Sequence, residues 1–261
     1  MKQLSLLSLI LVLTIGLTAC DPGEGEPDSA TLGDSDEETY SVGIDTTFPP
    51  FVIEDGDSYK GIDVAIIKAI AEDQGFEVEL KPTDFSGLMP ALQTGSLDIA
   101  ISGISITDKR KEIVNFSKPY YTAGLSLVTT KDQLGIKGLV DLKNKPLVVK
   151  TGTTGYEYAK EHKDMYNYKI TQVTNSEEMY GTVINGEGVA FLGDAPVASY
   201  AIKEKDLPLK IVRKKLEEHD YAIAVSKDTG GELLEKINNG LKNLKETGKL
   251  DKIIRNYLEK L

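Results

Sequence analysis

DVAIIKAIAEDQGFEVEL, residues 63–80, changes its periodicity once, at Gly75, and that change decides the fold class. Before the glycine, Val64, Ile67 and Ala71, flanked by Ile66 and Ile70, recur at helical spacing from Asp63 to Gln74. Gly75 suits the left-handed turn that ends a helix. After it, Phe76 to Leu80 alternates apolar and charged residues, the period of a strand. Working outward, Ser41–Asp45 reads as a preceding strand, Gly87–Thr94 as a short helix stopped by Gly95, and Leu97–Ile101 as a third strand. Strand–helix–strand–helix–strand over residues 41–101 is the pattern of an α/β domain with mostly parallel strands.

A second series follows the tyrosine-rich stretch Tyr120-Tyr121-Thr122-Ala123-Gly124. Strands are expected at Leu147–Lys150, Tyr168–Val173 and Gly188–Leu192, and helices at Gly155–His162, Glu177–Asn185 and Ala195–Lys203. Two similar α/β lobes joined in sequence account for this order. The last segment adds a strand, Tyr221–Val225, and helices over Glu232–Glu246 and Lys249–Glu259.

Composition narrows the function. The chain has 261 residues, 40% hydrophobic and 27% charged, as in an ordinary globular protein. Thirty basic against 41 acidic residues give a net charge of −11, the wrong sign for binding nucleic acid through its phosphates. One cysteine, Cys20, and two histidines, His162 and His219, exclude a disulfide and leave little for a metal site. Both histidines stand in charged, surface-like runs, and no Gly-x-Ser-x-Gly or His-Glu-x-x-His pattern is present. No cofactor is implied, and the chain reads as a binding protein, not an enzyme.

The first segment, MKQLSLLSLILVLTIGLTAC, places one cation before an apolar run from Leu4 to Leu17, the length of a signal-peptide core and too short to span a bilayer. Its end, Leu17-Thr18-Ala19-Cys20, resembles a bacterial lipoprotein box, which implies cleavage before Cys20 and lipid on its sulfur. Residues 1–20 are therefore expected to be a lipoprotein signal peptide and residues 21–39 an acidic, disordered tether. Residues 1–39 hold eight acids and one base, which leaves 33 acids and 29 bases for the body. The acidity belongs mostly to the tether.

Five segments in order carry a family resemblance: residues 45–51 (DTTFPPF), 60–64 (KGIDV), 84–95 (DFSGLMPALQTG), 101–110 (ISGISITDKR) and 116–121 (FSKPYY). They resemble the polar-amino-acid family of extracytoplasmic solute-binding proteins of ABC importers. Residues 81–87 (KPTDFSG) and 103–107 (GISIT) are most similar to glutamine-binding receptors. The resemblance implies two Rossmann-like lobes joined by a two-strand hinge, a periplasmic binding protein of type II-like fold. Lobe one would comprise residues 40–122 plus 219–261, and lobe two residues 123–218. It also implies a monomer, held by its lipid to the outer face of the cytoplasmic membrane, that delivers a free amino acid to a permease.

Such a ligand needs a bidentate cation for its carboxylate and an anion for its ammonium. Arg110 is the candidate for the first, although Asp108-Lys109-Arg110-Lys111-Glu112 also fits a solvated charge run. Asp194, just after an expected strand, is the candidate for the second, although it also fits an N-cap for the helix after it. Ser102, Gly103, Ile104 and Ser105 surround the end of the third strand, where hydroxyl and backbone groups could complete both shells. Thr153 and Thr154 precede a helix whose free N–H groups suit a carboxylate, and Phe48 and Phe85 would sandwich the aliphatic part. By the resemblance, Asp45 and Lys150 meet the side-chain end, and opposite charges there suit a carboxamide. L-Glutamine is therefore the expected ligand. Arginine or another cationic amino acid is the alternative, with Lys150 turned to solvent; some dehydratases of small cyclic acids also share this fold. Gly193 departs from the glutamine receptors, which have a histidine there, so the pocket should be roomier.

Overall fold

The computed structural model describes residues 38–213 and 215–259. The expected signal peptide, Cys20 and nearly all of the tether lie outside the described residues. In chain order the first elements are β1 (Thr39–Ile44), a hairpin of β2 (Ile53–Asp55) and β3 (Ser58–Lys60), and α1 (Ile62–Gln74). They are followed by β4 (Glu77–Pro82), α2 (Phe85–Gln93), β5 (Ile99–Ala100), α3 (Asp108–Lys111) and β6 (Val114–Phe116). The α1 periodicity works as the sequence implies: Ile62, Val64, Ile66, Ile67, Ile70 and Ala71 are buried, while Lys68, Glu72 and Asp73 face water. Gly75 closes the helix at φ 69°, its N–H bonded to the Ala71 carbonyl.

A ten-residue strand, β7 (Tyr121–Thr130), then leads into β8 (Pro146–Lys150), α4 (Thr154–Tyr166), β9 (Lys169–Val173) and α5 (Ser176–Ile184). After these come β10 (Ala190–Asp194), α6 (Ala195–Glu204) and β11 (Leu209–Arg213). The chain returns through β12 (Glu218–Tyr221) and β13 (Ala224–Ser226) and ends in α7 (Gly230–Glu246) and α8 (Lys249–Leu258).

Two mixed sheets result, one in each lobe. The first has the order β4-β1-β5-β13-β6, with β4, β1 and β5 parallel and β13 antiparallel to both neighbours. The second has the order β11-β7-β10-β8-β9, with β9, β8 and β10 parallel and β7 antiparallel to β10 and β11. Both faces of each sheet are covered by helices, so strand residues are apolar on both sides. In the first sheet Val42, Ile44, Ile99 and Val225 pack toward α1 and α7, and Ala100, Val114 and Ala224 toward α2. In the second, Leu125, Leu127, Leu147 and Leu192 face α4, while Val128, Val148 and Phe191 face α5 and α6. Helix α7 crosses α1 at Gly240, where a Cβ would lie 2.8 Å from Ile70 Cγ2, so glycine permits the close approach.

Two readings need correction. The stretch taken as a boundary, Tyr120 to Gly124, lies mostly within β7, whose first half pairs with β12 from Tyr121↔Tyr221 to Gly124↔Glu218. This antiparallel pair is the two-strand hinge. The single strand expected over Tyr221–Val225 is divided between β12 and β13, because the Ala222 N–H bonds the Ile104 carbonyl and the Ile223 N–H bonds Ser117 Oγ. Those bonds turn the chain from the hinge into the first sheet.

Candidate functional site

The carboxyl ends of parallel strands are where open α/β sheets gather ligand groups. Asp45 and Phe48 follow β1, Lys150 ends β8, Asp194 ends β10, and the segment from Ser102 to Arg110 follows β5. The structure brings Phe48, Phe85, Ser105, Arg110, Lys150, Thr154 and Asp194 around one narrow cleft.

Arg110 is buried, unlike its flanking lysines, whose side chains are 81% and 57% exposed. The charge run is therefore solvated around it but not at it. Its Nη1 donates to the Ser105 carbonyl at 2.7 Å, its Nη2 donates across the cleft to the Gly152 carbonyl at 2.9 Å, and Cζ lies 5.4 Å from the Phe85 ring centre. Burial lowers its pKa to about 10, opposed by the charge of Asp194, so the guanidinium is charged at neutral pH.

Asp194 precedes α6 without capping it. Its Oδ1 is buried and has no hydrogen-bond partner among the described residues. Burial pushes this carboxyl above the ordinary carboxylate range, opposed by the Tyr221 hydroxyl and by the charges of His219, Arg110 and Lys150. A buried acceptor without a donor is costly, and an ammonium would remove that cost.

Asp45 and Lys150 face one another. Lys150 Nζ is bonded to Asp45 Oδ2 and donates to Thr47 Oγ1 at 3.1 Å, while Asp45 Oδ1 accepts from Thr47 N at 3.0 Å and from Thr47 Oγ1 at 2.7 Å. Their side chains are 4% and 5% exposed. The ammonium also lies 5.9 Å and 5.6 Å from the ring centres of Phe48 and Phe85. It stands against the two aromatic rings expected to hold a ligand's side chain. Thr47, which sequence reasoning missed, is an Asx turn with Asp45 two residues before it, a legible local pattern.

Comparison with known proteins shows the family. Residues 40–260 match the model of "Bacterial extracellular solute-binding proteins, family 3". The chain belongs to that family. This solute-binding protein is 32% identical over 259 residues to the arginine-binding extracellular protein ArtP of Bacillus subtilis (strain 168), covering 98% of both chains. Two solved structures, an ancestral arginine-binding protein bound to arginine and one bound to glutamine, are each 38% identical with a TM-score of 0.79. Each match covers 85% of this chain and 98% of the other. The fold is that of the type II periplasmic binding proteins, as the sequence implied.

Several candidates are used within the solute-binding protein's own framework. Ser102 is fully buried, and its Oγ accepts the Asp45 N–H at 3.1 Å, so the hydroxyl fixes the Asp45 loop. Ile104 packs with Leu88 and Leu92 in the core beneath α2. Gly103 adopts φ +56°, and a Cβ there would lie 2.2 Å from Phe48 Cε1, so only glycine fits. Its N–H is taken by Asp63 Oδ2 at 2.7 Å, and Tyr120 donates to the other oxygen at 2.7 Å. Asp63, a brace the sequence reading did not find, is fully buried, and burial raises its pKa to about 7. Ser105 contributes its carbonyl to Arg110. Thr153 caps α4, accepting from the Tyr156 N–H at 3.2 Å, so its hydroxyl is already engaged.

His219 is corrected from the surface to the cleft. It lies on β12, only 12% exposed, with Nε2 3.4 Å from Glu217 Oε2. Among the described residues, no group of three or more His, Cys, Asp or Glu side chains could hold a metal ion, and no helix is long and apolar enough to cross a membrane.

Proposed function

We propose that this protein is the extracytoplasmic receptor of an ABC importer for a polar amino acid whose side chain is neutral, with L-glutamine the favoured ligand. The observation that carries this reading is the charge of the cleft: Arg110 is a buried cation, Asp194 a half-buried anion with its Oδ1 buried, and Lys150 and Asp45 are a second, fully enclosed pair. A zwitterion matches the first pair, its carboxylate on Arg110 and its ammonium on the unpartnered Asp194 Oδ1. The second pair is neutral as it stands. A side chain inserted beside it is accepted without an uncompensated charge only if it is itself neutral and can both donate and accept, as a carboxamide does. Phe48 and Phe85 flank its methylenes.

Arginine is the second reading, favoured by the arginine-binding names of similar proteins. It requires Lys150 to leave Asp45, which would then take the guanidinium. Isothermal titration against the twenty amino acids tests both: micromolar or tighter glutamine is expected, and tight arginine with no glutamine would overturn the first reading. The receptor acts as a monomer, tethered through lipid on Cys20 and residues 21–39. Unchanged lipid labelling in Cys20→Ala would refute the anchor.

A further inference from the structure

Behind Asp194, within lobe two, a second cavity opens from the cleft. It shares Phe48, Lys150, Thr153 and Asp194 with the amino-acid site and has room for about two waters. Its far wall is Met179, Phe191, Val197 and Tyr180. Gly193 opens it. A Cβ at that position would lie 3.2 Å from Phe191 Cε2 and 3.6 Å from Met179 Cε, within this annex, and the backbone there needs no glycine because its φ is not positive. Tyr180 is 3% exposed, its ring packs on Phe191 at 5.4 Å between centroids, and its hydroxyl has no hydrogen-bond partner among the described residues. A buried hydroxyl lining a small cavity whose mouth carries Asp194 and Lys150, and whose lining includes the buried Ser176, is a polar site in an otherwise apolar chamber.

We infer that the annex is a side-chain subsite, and that the receptor accepts α-amino acids whose neutral, hydrogen-bonding end group lies about two atoms beyond the carboxamide of glutamine. The inference rests on the proposed neutral-amino-acid reading of the cleft. Length follows from the room behind Gly193, neutrality from the Asp45–Lys150 pair, and a hydrogen-bonding end from the Tyr180 hydroxyl. A ureido group on a three-methylene chain meets all three conditions, so L-citrulline is the probe. Arginine has the same length and adds a charge, and glutamine has the same neutrality without the reach.

The test is isothermal titration of glutamine, citrulline and arginine into the wild-type protein and the Gly193→Ala and Tyr180→Phe variants. Citrulline is expected to bind the wild type at least as tightly as glutamine. Gly193→Ala, which places a methyl group in the annex, should lower the citrulline-to-glutamine affinity ratio at least tenfold. Tyr180→Phe, nearly isosteric and so safe for folding, should lower it about three- to tenfold, the effect of one neutral hydrogen bond. The ratio is measured within each variant, so a partly unfolded sample does not distort it. Glutamine binding without citrulline, or a ratio unmoved in Tyr180→Phe, overturns the annex alone. A wild type that binds none of the three overturns the proposed function with it.

Discussion

On the proposed reading of the cleft as a site for neutral side chains, replacing Lys150 by methionine should shift its preference toward cationic ones. The substitution keeps most of the side-chain volume and removes one charge. Asp45 retains the two bonds from Thr47 on Oδ1 but loses its partner on Oδ2, while its side chain is 4% exposed. Leaving one member of such a pair buried and uncompensated costs about 3–5 kcal/mol. Asp45 and Lys150 come from different lobes, so on the proposed hinge mechanism opening would hydrate Asp45 and the cost would fall on lobe closure over a ligand, with little effect on folding. Glutamine cannot relieve it; arginine can, by bringing a guanidinium to Asp45. The arginine-to-glutamine affinity ratio should therefore rise by about 2–5 kcal/mol, roughly 30-fold to a few thousandfold. Titration of both ligands into wild type and Lys150→Met measures it. Pairing the variant with Asp45→Asn should return the ratio toward its original value, the coupling expected of groups in contact. A ratio that moves less than threefold in the single variant would remove the pair from the side-chain end of the cleft.

Arg110→Ala and Asp194→Asn should each weaken amino-acid binding by about 2–5 kcal/mol, because each leaves a ligand charge buried without its partner; calorimetry showing less than a threefold change with folding intact would exclude that residue. Since burial raises the Asp194 carboxyl and a ligand ammonium favours its ionised form, affinity should be level at high pH and decline as pH falls through the free protein's value. In that window binding should release a proton, seen as different apparent heats in buffers of different ionisation enthalpy. Asp63 has the same sign of shift but acts on stability: folded near 7 against 3.8 unfolded, it contributes most below 3.8 and loses that contribution as pH rises toward 7. Between pH 5 and 7 the loss is up to about 3 kcal/mol, and urea denaturation should find a flatter profile in Asp63→Asn.

What the sequence revealed depended on how far apart the interacting residues lie. Helix α1 and its Gly75 cap are local, so spacing and one glycine were enough. The hinge was not, because β7 is completed by β12 almost a hundred residues later and Thr122-Ala123-Gly124 has little strand character of its own. At the site, residue types and their positions after the strands were legible, but their pairings were not. Ser102 and Gly103 stand where ligand groups belong, yet their polar atoms are taken by Asp45 and Asp63, 57 and 40 positions away. Composition could not separate Arg110 from its neighbouring lysines; only burial does. His219 read as part of a charged run because its place facing the cleft depends on β12 pairing with β7.

In the proposed site the side chains that would hold the ligand already bond from one lobe to the other, which constrains what any measured affinity means. Arg110 divides its guanidinium between Ser105 of its own lobe and Gly152 of the other, and Lys150 reaches from lobe two to Asp45 and Thr47 of lobe one. Lys109 and Glu157 add an exposed ion pair at 3.0 Å across the rim. A ligand carboxylate on Arg110 exchanges one acceptor for a charged one, so it contributes only the difference between them. Asp194 Oδ1 is different: it has no hydrogen-bond partner among the described residues to give up, so a ligand ammonium there adds a bond to the support the carboxyl already has from the Tyr221 hydroxyl and the nearby cations. The ammonium should therefore dominate recognition. Removing it from an amino acid should cost more affinity than converting the carboxylate to an amide, while substitutions at the Lys109–Glu157 rim, solvated on both sides, should move binding by about 1 kcal/mol or less.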